Sequence, residues 1–154
     1  ENAMGTFLSH YTLWKQIILR DKSALILEHD AVLIDDIPDE SRLGDITSLG
    51  YPSYGSFNTP KTMGLNELTS KRYFPGAHGY VVKPRGAMAL VEAAKESAQP
   101  TDIFMNIDTF SNLKEWYPWV VRADDSFSTI QKRTGCLAKH NYRNNPENYD
   151  IIDA

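Results

Sequence analysis

The order of elements in the sequence predicts an α/β domain, with a mostly parallel sheet flanked by helices. Three stretches carry that expectation. Over residues 5–19, Phe7, Tyr11, Trp14 and Ile18 recur at helical spacing, with Leu8 and Ile17 widening the stripe. Lys15, Gln16 and Arg20 sit off that stripe, so an amphipathic helix is expected. Residues 23–27 follow as a short apolar strand of the kind buried on both faces inside a parallel sheet. It runs directly into Glu28, His29 and Asp30, at the strand end where open α/β sheets bind ligands. Residues 77–82 form a second strand, and Lys83-Pro84 opens a helix with Ala87, Leu90, Val91 and Ala94 on its apolar face. Pro84 suits a first helical position, where its missing N–H is no loss.

The remaining elements are weaker. A strand at Val32, Leu33 and Ile34 gives way to a turn at Asp35, Asp36 and Pro38, and residues 45–50 form a less marked strand. Residues 50–64 hold Tyr51, Pro52, Tyr54, Gly55, Pro60 and Gly64, which is loop chemistry with aromatic content. Pro100, Thr101 and Asp102 start a short helix, with Thr101 or Asp102 as its N-cap. Residues 117–121 read as one extended segment, and a polar tail over 139–154 is set apart from a domain spanning 1–138.

Composition excludes several classes. A chain of 154 residues is one domain's worth, and 42% hydrophobic with 23% charged residues is a globular composition. The formal charge of −4 and the lack of any Lys/Arg run argue against a nucleic-acid surface, which needs a basic face. No apolar run approaches a membrane span, and the first residues lack the basic start and apolar core of a secretory signal. One cysteine, Cys136, forms no internal disulfide, so a reducing, cytoplasmic setting is expected. Cys136 also has no base arrangement around it that would make it a nucleophile. The chain opens on Glu1 rather than Met, which suggests a piece of something longer.

The acidic tip is the strongest chemical signal. Two residues apart in an extended segment, Glu28 and Asp30 point the same way. Two carboxylates ~4 Å apart repel by about 4 kcal/mol at an effective dielectric near 20, so water, a proton or a cation must offset them. Hard oxygen ligands suit Mg²⁺ or Mn²⁺, and two protein carboxylates leave positions open for phosphate oxygens. A solvated acidic turn is the alternative. His29, between them, points the other way and fits a hydrogen-bonded structural role or a ligand role.

Several segments together resemble glycosyltransferase family 25. Gly5, Ser9, His10 and Trp14, followed by Ala24-Leu25-Ile26-Leu27-Glu28-His29-Asp30, are similar to that family's Gly-x-x-x-Ser-His-x-x-x-Trp and its apolar strand ending in Glu-Asp-Asp. Gly76 to Val82 with Arg85-Gly86-Ala87 and Leu90 resembles the family's Tyr-bearing strand and following helix. Pro100-Thr101-Asp102 resembles its Pro-x-Asp, and Ser126 to Ile130 its late Ser-containing segment. The matches keep their order over about residues 5–130. The family includes bacterial lipopolysaccharide and lipooligosaccharide galactosyltransferases and the procollagen galactosyltransferases.

The resemblance implies a GT-A-like fold and a metal-dependent glycosyltransferase. It would move a hexose, galactose first among them, from a UDP-sugar to a hydroxyl of a glycan or lipopolysaccharide-type acceptor. Asp30 would ligate Mn²⁺ (or Mg²⁺) directly, and Glu28 would ligate it or hold its water or the sugar nucleotide. The ion would neutralise the diphosphate leaving group, and a carboxylate would take the acceptor proton. Asp102 is the first candidate base and Asp125 the second, with a helix cap as Asp102's alternative. Ser9 and His10 would reach the nucleotide or brace the acidic turn, or lock helix to sheet as a buried pair. Tyr80 and His78 could contact sugar; Trp14, Trp116 and Trp119 fit core or interface better. Two departures stand out. His29 stands where the family commonly has Asp, and the family's first nucleotide-binding strand and basic segment would lie before Glu1, as expected of a fragment or of a shortened relative. The alternative function is a non-catalytic module that binds a sugar nucleotide or glycan.

Overall fold

The computed structural model describes residues 2–52, 55–124 and 151. Its first element, helix α1 (Asn2–Arg20), buries Phe7, Tyr11, Trp14 and Ile17 along the predicted stripe. The helix ends in a Schellman arrangement. Asp21 takes φ 49°, its N–H reaches the Ile18 carbonyl at 3.2 Å, and the Lys22 N–H reaches that of Ile17 at 3.4 Å.

The strands are β1 (Ala24–Leu27), β2 (Ala31–Leu33), β3 (Ile46–Ser48), β4 (Gly64–Glu67), β5 (Gly79–Val82), β6 (Lys114–Tyr117) and β7 (Val121–Ala123). Helices α2 (Pro84–Glu96) and α3 (Thr101–Phe104) lie between β5 and β6. Five strands form one sheet in the order β1-β5-β3-β6-β4, and β2 pairs with β7 in a separate ribbon. The architecture is therefore mixed α/β, with a central sheet flanked by helices. Within the described five-stranded sheet, β3 and β6 pair in parallel, whereas β1·β5, β3·β5 and β4·β6 are antiparallel; a single parallel bridge also joins Gly50 to Val121.

That pairing corrects the expectation for β1. It is an edge strand, not an interior one: Ile26 is buried, Ala24 and Leu25 are half-buried and Leu27 is exposed. The strand buried throughout is β5, which takes the place between β1 and β3. Tyr80 and Val82 of β5 face the larger core under the helices, and Val81 faces a smaller one with Leu43, Leu49, Trp116, Val120 and Val121. Helix α2 begins with Pro84 at its first turn, as expected. Gly86 lets that turn settle on the sheet, since a β-carbon there would stand 2.2 Å from the Asp45 carbonyl oxygen.

Other differences have local causes. The 50–64 loop continues into β4, whose Gly64, Asn66 and Glu67 have little strand propensity; its pairing with β6 supplies the strand. The segment expected to be extended through Tyr117 is divided by a cis Tyr117–Pro118 bond between β6 and β7. The cap of α3 is Pro100, without a side-chain hydrogen bond, so neither Thr101 nor Asp102 serves as N-cap. The proposed 139–154 tail and the segment from Ser126 to Ile130 lie outside the described residues, apart from Ile151. No described helix is long and apolar enough to cross a membrane.

Candidate functional site

Strands β1, β3 and β6 run in one direction, so their carboxyl ends share an edge of the sheet. At the end of β1 the chain does not stay extended. The Ala31 N–H donates to the Glu28 carbonyl at 3.1 Å, closing a turn over residues 28–31. The alternation that would aim Glu28 and Asp30 the same way therefore does not apply, because His29 and Asp30 form the turn itself.

Glu28 looks back toward helix α1. Its Oε1 lies 3.2 Å from His10 Nε2, and His10 Nδ1 lies 2.6 Å from the Tyr80 hydroxyl. That hydroxyl accepts from Trp14 Nε1 at 3.0 Å. His10 and Trp14 stand four residues apart on α1, hence on one helical face, and both turn toward β5. Ser9 precedes His10 by one position and so faces about 100° away. It is exposed, and its hydroxyl donates to the Gly5 carbonyl at 2.9 Å within the helix. Tyr80 is fully buried, so it meets the site through His10 and not by touching a ligand. Burial also pushes the Tyr80 hydroxyl far above its ordinary range, against the opposing Trp14 hydrogen bond, with the Glu28 charge adding to the rise.

Asp102 joins this group from α3, which is held against α1 by Phe104. Phe104 stacks on Trp14 at 5.7 Å and meets Phe7 edge-on at 5.2 Å. By surface area Asp102 is open to solvent, so its carboxyl is crowded by protein without being sealed. The carboxyl is raised above the ordinary 3.8, first by loss of surrounding water and further by the Glu28 charge. The N–H groups of Asp102 and Ile103 and the positive charge of Lys71 oppose the rise. The two carboxylates thus sense each other, although 74 positions separate them in the sequence.

Lys71 had no signal in the sequence. It follows directly on a backbone held by Glu115, a fully buried carboxyl side chain on β6 that accepts from the Thr69 and Ser70 N–H groups, each at 2.9 Å. A buried charge needs such donors. Glu115 Oε2 also takes the Trp119 indole at 3.5 Å. Trp119 in turn supports Tyr51 and Phe57, edge-on at 5.0 and 5.7 Å. Trp14, expected only as core, is a member of the hydrogen-bonded chain as well.

The other candidates lie apart. Asp30 is half-buried, and its Oδ1 is enclosed with no hydrogen-bond partner among the described residues, while its backbone carbonyl accepts from Asp124 N–H at 2.8 Å. An orphaned anionic oxygen of that kind suits a hard cation. Among the described residues no three His, Cys, Asp or Glu side chains gather as a ready-made metal cage. His29 is exposed; His78 is buried against Gly50, where a β-carbon would stand 2.7 Å from its Nε2. Asp125 and Cys136 lie outside the described residues. An open cleft of about 150 Å³, lined by Ser23, Leu25, Ile37 and Leu43 among others, sits at the amino end of β1 and so away from Glu28.

Comparison with protein-family models, with curated proteins and with solved structures finds no match to this chain.

Proposed function

We propose that this chain is a glycosyltransferase domain of the family 25 type, transferring a hexose, galactose first, from a UDP-sugar to a glycan or lipopolysaccharide-type hydroxyl. The observation that carries the reading is the His10–Glu28 pair at the end of β1, joined by the Asp102 carboxyl of α3 through the charge of Glu28 that it feels. Glycosyl transfer needs a base for the acceptor hydroxyl and groups that hold the donor, and the two carboxylates divide those tasks. Asp102, made more basic by its crowding, accepts the proton of the acceptor hydroxyl. The freed oxygen attacks the anomeric carbon, the sugar–phosphate bond breaks, and UDP leaves with the bonding electrons. Glu28, tethered by His10, orients the donor sugar.

Asp30 would hold the Mn²⁺ or Mg²⁺ ion, which supplies charge neutralisation of the diphosphate, with Glu28 reaching its water or the nucleotide. The orphaned Asp30 oxygen supports that placement. Resemblance of the ordered motifs to family 25 supports the reaction class.

Calorimetric titration with UDP-galactose and Mn²⁺ tests the reading. The wild type is expected to bind, and Glu28→Gln to bind roughly tenfold more weakly or worse, about 1.4 kcal/mol. Wild-type protein that releases no heat with UDP-galactose or UDP contradicts it. Binding without any turnover on a panel of glycan acceptors would favour the non-catalytic module.

A further inference from the structure

We propose that Trp14 and Tyr80 are positioning residues. They set His10 as its Nε2–H tautomer and so hold Glu28 as a fixed hydrogen-bond acceptor, with Oε2 presented to a hydroxyl of the bound ligand. The ligand half rests on the glycosyl-donor reading; the tautomer half does not.

The direction of the chain follows from counting protons. An indole N–H can only donate, so the Tyr80 oxygen accepts from Trp14 at 3.0 Å. A phenol has one hydrogen of its own. Among the described residues the other polar neighbour of that hydroxyl is His10 Nδ1, at 2.6 Å. Were Nδ1 protonated, both groups would aim a hydrogen at each other, or the phenol hydrogen would be left without an acceptor inside the core. Tyr80 therefore donates to Nδ1. The ring hydrogen belongs on Nε2, which faces Glu28 Oε1 at 3.2 Å. The Tyr80 and His10 rings lie near-parallel, 18° apart in plane, and a flipped imidazole would have to break the contacts at both ring nitrogens. The tautomer is thus assigned by its neighbours, as tautomers in structures must be.

The chain runs from the core to the surface. The His10 side chain is 4% exposed and that of Glu28 28% exposed, so Glu28 is the end that a ligand can reach. With Oε1 engaged, Oε2 meets whatever binds. A carboxylate oxygen accepts; it repels the oxygens of a diphosphate and takes a donor such as a sugar hydroxyl. Glu28 then reads the sugar and not the phosphates. The charge that meets Glu28 from a neighbouring element is Asp102 on α3, which in turn feels the positive charge of Lys71 ahead of β5.

Nitrogen-15 NMR of histidine-labelled protein decides the tautomer. The wild type should show His10 Nδ1 as a bare acceptor and Nε2 protonated. Tyr80→Phe, which keeps the ring, should give a tautomer mixture, and Trp14→Phe supplies a second variant that also keeps an aromatic ring. A protonated Nδ1 in the wild type, or an unchanged spectrum in both variants, overturns the assignment. Calorimetry decides the ligand half. Tyr80→Phe should lower the affinity ratio of UDP-galactose to UDP by roughly fivefold, leaving UDP itself unaffected. An unchanged ratio, or a fall in UDP affinity alone, overturns it. Wild-type protein that does not bind UDP-galactose defeats the ligand half together with the donor reading, while the tautomer still stands or falls by the spectrum.

Discussion

Asp102→Asn should abolish sugar transfer without unfolding the protein. The substitution keeps size and shape but removes the group proposed to take the acceptor proton, and general-base catalysis is worth on the order of 10²–10⁴ in rate. Donor binding should survive, because in this reading Glu28 and Asp30 hold the donor and Asp102 faces the acceptor. Stability should move in the opposite direction from activity. In the folded protein the Asp102 carboxyl is raised above its ordinary 3.8, so the fold favours its protonated form. That stabilisation is full below the unfolded value and is lost as pH rises through the folded one. Once pH exceeds the folded value the wild type has lost it, and asparagine, which never ionises, restores a neutral side chain. The melting temperature of the variant relative to wild type should therefore rise with pH across the titration of Asp102, and the difference should close as pH falls toward 4. Thermal melts across that range, paired with initial rates, check both halves. A rate close to wild type removes Asp102 from the mechanism; a melting difference that does not rise with pH removes the crowding argument.

Trp14→Ala should be the most damaging change in the core. The side chain is fully buried, stacks on Phe104, meets Phe7 edge-on at 5.7 Å and donates to Tyr80. Truncating a buried Trp removes its transfer free energy, leaves a cavity and strands a polar partner, here the Tyr80 hydroxyl. A loss of about 3–5 kcal/mol is expected, lowering the melting temperature by roughly 10 °C in a chain of this size. Because Phe104 holds α3, the same change should loosen Asp102. Hydrogen exchange at Ile103 and Phe104 should rise with it, and a variant that loses stability while those amides stay protected would contradict the coupling.

How much of this was legible in the sequence depended on range. The α1 stripe, the apolar run of β1 with its acidic end, and the Pro84 start of α2 are local patterns, and each appears where periodicity places it. The edge position of β1 and its antiparallel partner are not local. Nothing in four apolar residues says which strand lies beside them, and the burial of β5 decides it. The same limit governs the site. Ser9 and His10 read as a pair along the chain, but one helical step sends Ser9 to solvent and His10 to the sheet. Glu28 and Asp30 read as a pair along a strand, yet the turn at 28–31 separates their roles. The influence of Glu28 on Asp102, and the anchoring of the Thr69 and Ser70 backbone by Glu115, arise from tertiary packing with no signature in spacing.

The most direct test of the account is a crystal structure of the Asp102→Asn protein with UDP-galactose and Mn²⁺. The galactose ring is expected at the carboxyl end of β1, with a sugar hydroxyl on Glu28 Oε2, His10 still on Oε1, and the anomeric carbon open toward residue 102. A nucleotide sugar seated elsewhere on the chain, or Glu28 turned away from it, would contradict the assignment of this cluster as the site of transfer.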